Sequence, residues 1–286
     1  MMGSVTRFCM QSSIDAEYIE HLGAEKRRIY ITGNTKFDQT YAEVTPKDLK
    51  TYKEELGLYD DYPIIVAGST HPTEEEKLFE AFTEVQKEFL KARLLIAPRK
   101  PGRTHEITRL AERFGLTVGL RSVLRDEKGQ RPRYPVILID TIGELGRIYA
   151  VGDVVFVGGS LINHGGHNVL EPAAHAKPII VGPSMSNFKD SFSLLSKVGA
   201  CVQIRDTKEL TAMILKILRD DALRKKMGDA SIQVIRENRG AAVRTIGYLK
   251  ELLRLTATES MVNTHYKIST RNINDEVSPR MWLNRW

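Results

Sequence analysis

Short apolar runs recur along the chain, and amphipathic stretches separate them. Ile64–Ala67, Leu94–Ala97, Leu116–Leu120, Val136–Ile139, Val154–Val157, Ile179–Val181 and Cys201–Ile204 carry few polar interruptions. A strand covered on one face alternates apolar and polar residues, whereas one covered on both faces reads as a continuous apolar run. The seven runs therefore predict doubly buried strands, and the helical stretches between them predict parallel crossovers. Between the first two runs, Leu78, Phe79, Phe82, Val85, Phe89 and Leu90 fall at helical spacing. Glu74, Glu75 and Glu76 open that helix, where carboxylates complement its dipole. After Ile204 the pattern is helical over 206–220, 222–238 and 241–255. The fold class expected is α/β, a doubly wound Rossmann-like parallel sheet with C-terminal helices, whose ligands lie beyond the carboxyl ends of the strands.

The flanks read differently. Ser13–Leu22 predicts a short helix and Arg28–Ile31 a strand, in the manner of the tail of a preceding unit; a polar helix from Pro46 to Tyr59 follows. We divide the chain into a remnant of an earlier lobe (1–43), a ligand-binding lobe (44–255) and a weakly ordered tail (256–286), in which Met281, Trp282 and Trp286 could dock on a surface. With 286 residues, 42% hydrophobic and 27% charged, the chain lies in the ordinary globular range, which excludes a mainly disordered or coiled-coil protein. The net charge of +6 suits an anionic partner without naming one. Basic residues are interspersed with acidic ones and form no aromatic-basic platform, which argues against nucleic acid. Cys9 and Cys201 stand far apart, with neither a disulfide framework nor zinc-motif spacing. No apolar run approaches the roughly 18 residues that span a bilayer, so membrane contact is expected to be peripheral.

Candidate chemistry sits in the loops after the strands. Gly68-Ser69-Thr70-His71-Pro72 reads equally as a helix cap or as an anion site in which His71 adds a donor. Pro98-Arg99-Lys100-Pro101-Gly102-Arg103 places three cations on a loop stiffened by proline, with Arg99 best placed to grip a phosphate or carboxylate through two hydrogen bonds. Asp140-Thr141-Ile142-Gly143-Glu144-Leu145 opens a helix that Asp140 or Thr141 can cap; Glu144 either complements the dipole or accepts from an amine or sugar hydroxyl. In the run from Gly158 to Glu171, two glycine pairs leave amides free to approach a phosphate, and Asn168 and Glu171, three apart, can face one ligand. A His164, His167 and His175 metal site is a rival reading. It lacks a carboxylate or cysteine to complete it, and no metal is expected.

These same segments, Gly68-Ser69-Thr70-His71, Ala97-Pro98-Arg99, Asp140 through Leu145, FVGGSLINHGGHNVLE (156–171) and Pro178–Gly182, together with MQSSIDAEYIEHLGA and ITGNTKFDQ near the start, resemble the bacterial 3-deoxy-D-manno-octulosonic acid (Kdo) transferases of lipopolysaccharide assembly. The resemblance covers about residues 8–255. It implies a two-lobed GT-B glycosyltransferase, of which this chain corresponds to the second, donor-binding lobe and the end of the first. It further implies CMP-Kdo as donor, bound at Pro98, Arg99, Ile142, Gly143, Glu144, Asn168, Val169, Leu170 and Glu171, with Ser69, His71, Ser160 and Gly166 as further candidate contacts. The acceptor implied is a lipid A precursor (lipid IVA), approached from the cytoplasmic face of the inner membrane; no cofactor is implied. The family's general base is a glutamate of the first lobe, so a chain lacking that lobe is expected to hold donor without completing transfer, and by itself to be cytoplasmic. A donor-binding module without activity and a GT-B transferase or epimerase using a UDP-sugar remain the alternatives.

Overall fold

In the computed structural model, which describes residues 2–39, 41, 43–58, 62–126 and 133–263, every one of the seven apolar runs overlaps a strand. Two short strands come first, β1 (Phe8–Met10) and β2 (Ile29–Ile31), paired in parallel across α1 (Ser13–His21). The main sheet is built from β3 (Ile64–Thr70), β4 (Arg93–Pro98), β5 (Val118–Leu120), β6 (Val136–Leu138), β7 (Val154–Val157), β8 (Ile179–Val181) and β9 (Cys201–Gln203). All pair in parallel, in the order β5-β6-β4-β3-β7-β8-β9. The helices are α2 (Pro46–Glu55), α3 (Glu74–Glu88), α4 (Thr104–Arg113), α5 (Arg121–Asp126), α6 (Leu145–Ile148), α7 (Leu170–Ala174), α8 (Lys189–Lys197), α9 (Thr207–Arg219), α10 (Asp221–Asn238) and α11 (Ala241–Asn263).

Alternate residues of each strand enter different cores. Ile64, Val66, Leu95, Val155 and Ile179 pack with Leu170, Leu195, Val234 and Ile235 on one face. Ile65, Ala67, Leu94, Ile96, Val154 and Ile180 meet Phe79, Phe82, Ile107, Ile214 and Ile217 on the other. Each such side chain contributes about 1.5–3 kcal/mol when fully buried, so the unbroken apolar runs follow from coverage on both faces. Contacts divide the chain into Met1–Ala241 and Ala242–Trp286. The division expected near residue 44 is not one of packing, because Phe37 is buried in the first of the two cores. The last helix also runs on to Asn263 rather than ending near Leu255. The surface-docking residues expected in the tail, Met281, Trp282 and Trp286, lie outside the described residues.

From β3 the chain first builds outward through β4, β5 and β6, then crosses back to place β7 on the other side of β3. The crevice between β3 and β7 is therefore the topological switch point, where open α/β sheets bind ligands. Its two loops touch backbone to backbone. Gly158 N–H donates to Gly68 O at 2.8 Å, and a Cβ on Gly158 would stand 2.5 Å from Ser69 O. A Cβ on Gly182 would stand 2.3 Å from Ser160 O. Ser69 itself adopts a left-handed φ of 55°, at a register shift between Gly68 and Thr70.

One buried carboxylate holds this contact. Glu74, the first residue of α3, is fully buried and accepts from His71 N (3.0 Å), Gly159 N (2.7 Å), Ser160 N (3.0 Å) and Leu161 N (2.9 Å). Burial pushes its pKa above the ordinary value, and the four amide donors pull the other way. Glu75, also buried, accepts from Thr70 Oγ1 (2.9 Å) and Arg103 (2.8 Å). The acidic start of α3 thus does more than complement a dipole: two of its three carboxylates fix the loops at the strand ends.

Glu74→Gln turns amide hydrogens toward backbone donors, and we expect a loss of about 2–4 kcal/mol in urea unfolding. The exposed Glu76→Gln should change stability by less than about 0.5 kcal/mol; equal effects would refute the network. Gly182→Ala should cost about 1–3 kcal/mol through its clash with Ser160 O. Gly102→Ala, with nothing within 4 Å, is the thermal-melt control expected to stay near the parent.

Candidate functional site

The loops after β3, β4, β6 and β7 carry the candidate residues, and the strand pairing brings them to one rim. Gly68 pairs with Ala97 and with Val157, and Ile96 with Leu138, so Ser69, Pro98, Arg99, the 140–144 turn and the 158–171 segment all begin at the same edge. Arg99 is exposed, and its N–H donates to Thr70 O at 2.9 Å, which fixes its backbone to the β3 loop. Among the described residues, no carboxylate engages its guanidinium. Arg103 differs from Arg99: its guanidinium is bound to Glu75 and Glu106, which hold it protonated, so the basic loop offers Arg99 and Lys100 to a ligand rather than three cations.

Three imidazoles meet beside Arg99. His71 Nε2 and His167 Nε2 lie 2.7 Å apart, and the His164 ring centroid lies 4.2 Å from that of His71. Burial is the first cause of a lowered pKa at both His71 and His167. Neighbouring imidazoles and Arg99 add to it, and His167 is held at about 4. Both rings are therefore neutral near pH 7. The grouping differs from the sequence expectation in one member: His175 is not part of it, since it follows α7 and lines a separate cavity, and His71 takes its place.

The carboxylates occupy the other part of the rim. Glu171 Oε1 accepts from Asn168 Nδ2 at 3.1 Å, while Asn168 Oδ1 accepts from Leu170 N at 3.0 Å, so the two side chains expected to face one ligand are locked together. Burial raises the pKa of Glu171, opposed by the Asn168 hydrogen bond. Gly146 of α6 abuts it: a Cβ there would stand 4.0 Å from Glu171 Oε2, which links this pair to the turn carrying Glu144. Glu144 accepts from Thr141 Oγ1 (2.8 Å) and from Arg121 Nε (2.9 Å). Arg121, 2% exposed, also donates to Glu55 at 2.6 Å, and these two acceptors outweigh its burial and raise its pKa. Its second terminal nitrogen is buried without a hydrogen-bond partner among the described residues. Ile142 is 88% exposed and Gly143 has a φ of 87°, so the tip of this turn projects into solvent.

Several expectations need correction. The amides of the first glycine pair do not await a phosphate: Gly159, Ser160 and Leu161 donate to Glu74. In the second pair, Gly165 N donates to Ser184 Oγ and Gly166 N to Gly159 O, which leaves Gly166 buried in the loop's own bonding. Ser160, expected as a donor contact, is fully buried, with its hydroxyl donating to Val157 O and accepting from Gly182 N. Val169 and Leu170 bury their side chains completely and can present only backbone. Asp140 caps the start of α5 through Ser122 N and Oγ, rather than α6. Two buried acids and a buried arginine, Glu74, Glu75 and Arg121, were invisible as site-forming residues. The only signal was an acidic run after a strand-end Ser-Thr-His, with two residues between them.

Comparison with known proteins agrees with this geometry. Residues 1–39 match the family described as 3-Deoxy-D-manno-octulosonic-acid transferase (kdotransferase). The 3-deoxy-D-manno-octulosonic acid transferase of Haemophilus influenzae is 33% identical over 259 residues, covering 88% of this chain and 58% of that protein. The transferase of the same name from Aquifex aeolicus is 30% identical, covering 73% and 53%. The chain thus spans a little over half the length of these curated relatives. Among solved structures, the C-terminal CMP-Kdo binding domain of WaaA from Acinetobacter baumannii superposes with a TM-score of 0.60 at 27% identity, over 66% of this chain and 96% of that one. Anabaena Alr3699/HepE in complex with UDP and glucose shares the fold, with a TM-score of 0.54 at 12% identity, over 87% of this chain and 63% of that one. A seven-stranded parallel sheet and sequence likeness through both the opening segment and the main sheet lead to one finding: over a little more than half of their length, this chain is similar to the 3-deoxy-D-manno-octulosonic acid (Kdo) transferases.

Proposed function

We propose that the rim between β3 and β7 binds CMP-Kdo as the donor for Kdo transfer to a lipid A precursor in lipopolysaccharide assembly. The observation that carries this reading is the exposed guanidinium of Arg99, which no carboxylate engages among the described residues; it is fixed by its backbone to the switch-point loop and shares an edge with the part-buried carboxylates of Glu144 and Glu171. A guanidinium takes a phosphate or carboxylate oxygen pair in parallel hydrogen bonds. A carboxylate accepts from the exocyclic amine of cytosine and opposes the carbonyl that uracil presents in its place. In this assignment Arg99 supplies the counter-charge as CMP departs, and its fixed position stabilises that charge without reorganisation. Glu144 and Glu171 accept from cytidine or ribose, Asn168 holds Glu171 in place, and Ile142 and Gly143 close over the nucleotide. Arg121, between Glu55 and Glu144, is a positioning residue that sets the Glu144 carboxylate. Pro98, buried at the end of β4, fixes the chain just before Arg99.

The step that deprotonates the acceptor hydroxyl needs a base, and we assign it to the acceptor lobe rather than to this rim. The acceptor is then met at the cytoplasmic surface of the inner membrane. Among the described residues, no helix is long and apolar enough to cross a membrane.

Titration calorimetry tests the donor site directly. CMP should bind more tightly than UDP, and Arg99→Ala should weaken CMP by about tenfold to a hundredfold, the worth of one charge-assisted contact. Glu171→Gln should narrow the preference for CMP over UDP. Equal affinity for the two nucleotides, or an Arg99→Ala protein that binds CMP as the parent does, overturns the assignment. In a transfer assay with CMP-Kdo and lipid A precursor, no turnover is expected from this chain alone, and robust turnover would show the base to lie within it.

A further inference from the structure

We propose that His71, His164 and His167 form a binding site for one divalent transition-metal ion of the zinc class. The inference stands apart from the nucleotide reading, because it needs no contact with the donor. One ring nitrogen from each of the three residues lies within 4.8 Å of the others. Zinc–nitrogen bonds of about 2.0–2.1 Å ask for ligand atoms some 3.4 Å apart in a tetrahedral site, so small ring rotations about fixed backbones bring the set into place. The 2.7 Å between His71 Nε2 and His167 Nε2 is a separation that one shared hydrogen already bridges and that an ion would widen.

The backbones are fixed independently of any ligand. His71 N is held by Glu74 at 3.0 Å, His164 O accepts from Asn187 Nδ2 at 3.0 Å, and Gly166 N donates to Gly159 O at 2.8 Å. Room for the rings is made by Gly159, with a φ of 67°. A Cβ there would stand 2.9 Å from the His167 ring and 3.2 Å from that of His164. His164 is exposed, which gives an ion a path in and leaves coordination positions open to water or an anionic oxygen.

The ligand set also specifies which ions fit. It contains imidazole nitrogen alone, without carboxylate, and Arg99 and Lys100 stand nearby. Such a site has little to offer Mg²⁺ or Ca²⁺, which take oxygen ligands, and favours Zn²⁺, Co²⁺, Ni²⁺ or Cu²⁺, whose bonds to imidazole are strong enough to overcome the local positive field. An ion bound here would tie the β3 loop to the β7 loop across the switch point.

The test uses the full chain after treatment with a chelator. Titration with Co²⁺ at neutral pH should give visible absorption that saturates at one ion per chain, is abolished by Zn²⁺ and is untouched by Mg²⁺. His71→Ala and His164→Ala should each weaken Co²⁺ by about tenfold or more, while His105→Ala, at an exposed position outside the cluster, binds as the parent does. Because His71 is part-buried and its replacement could perturb the fold, His164→Ala, on an exposed loop position, keeps the test decisive. Absence of saturable Co²⁺ binding overturns the site, as does binding that survives either His71→Ala or His164→Ala at the parent affinity.

Discussion

A single carboxylate placed where no water reaches it, receiving hydrogen bonds from four main-chain amides, is the constraint on which the ligand-facing edge depends. Glu74 stands at the start of α3, and three of its donors belong to a segment more than eighty residues later in the chain. A buried anion without partners would cost several kcal/mol, and amides without acceptors would each cost a further amount of order 1–3 kcal/mol. Neither cost is incurred when the two meet. The glycines at 158 and 182 are the steric condition for that meeting, since a side chain at either would collide with backbone.

The edge built on this contact is divided electrostatically. Toward β4 it presents Arg99 and Lys100 beside neutral imidazoles; toward α6 and α7 it presents Glu144 and Glu171, each tied by hydrogen bonds to a neighbour. An anion with a hydrogen-bond-donating base at one end matches such a division, and a uniformly charged polymer does not. Arg121 backs the acidic part from the inside, holding Glu144 and, on its other side, Glu55 through charge-assisted hydrogen bonds.

The sheet could be read from the chain because burial on both faces leaves an unmistakable trace, and all seven strands fell where apolar runs stood. Arg99 could be read too, as a cation after a strand on a proline-bounded loop. Glu74 could not, because the same residue at the start of a helix is explained equally well by the dipole, and only the fold reveals that its donors come from another loop. The glycine pairs misled for the complementary reason: their amides look open in the sequence, but the fold engages each of them, Gly159 with Glu74, Gly158 and Gly166 with backbone carbonyls and Gly165 with Ser184 Oγ. The histidines were placed by nearness along the chain, which grouped His175 with His164 and His167. The sheet order sets the β3 loop beside the β7 loop and so substitutes His71.

That sheet order has a mechanical corollary. The strands on either side of the crevice are neighbours in space but belong to opposite ends of the winding, with the whole β4 to β6 excursion between them. Anything seated on both lips of the crevice therefore acts as a clasp closing a loop of some ninety residues, from β3 to β7. Occupancy of the edge and cooperative melting of the lobe then become two views of one equilibrium.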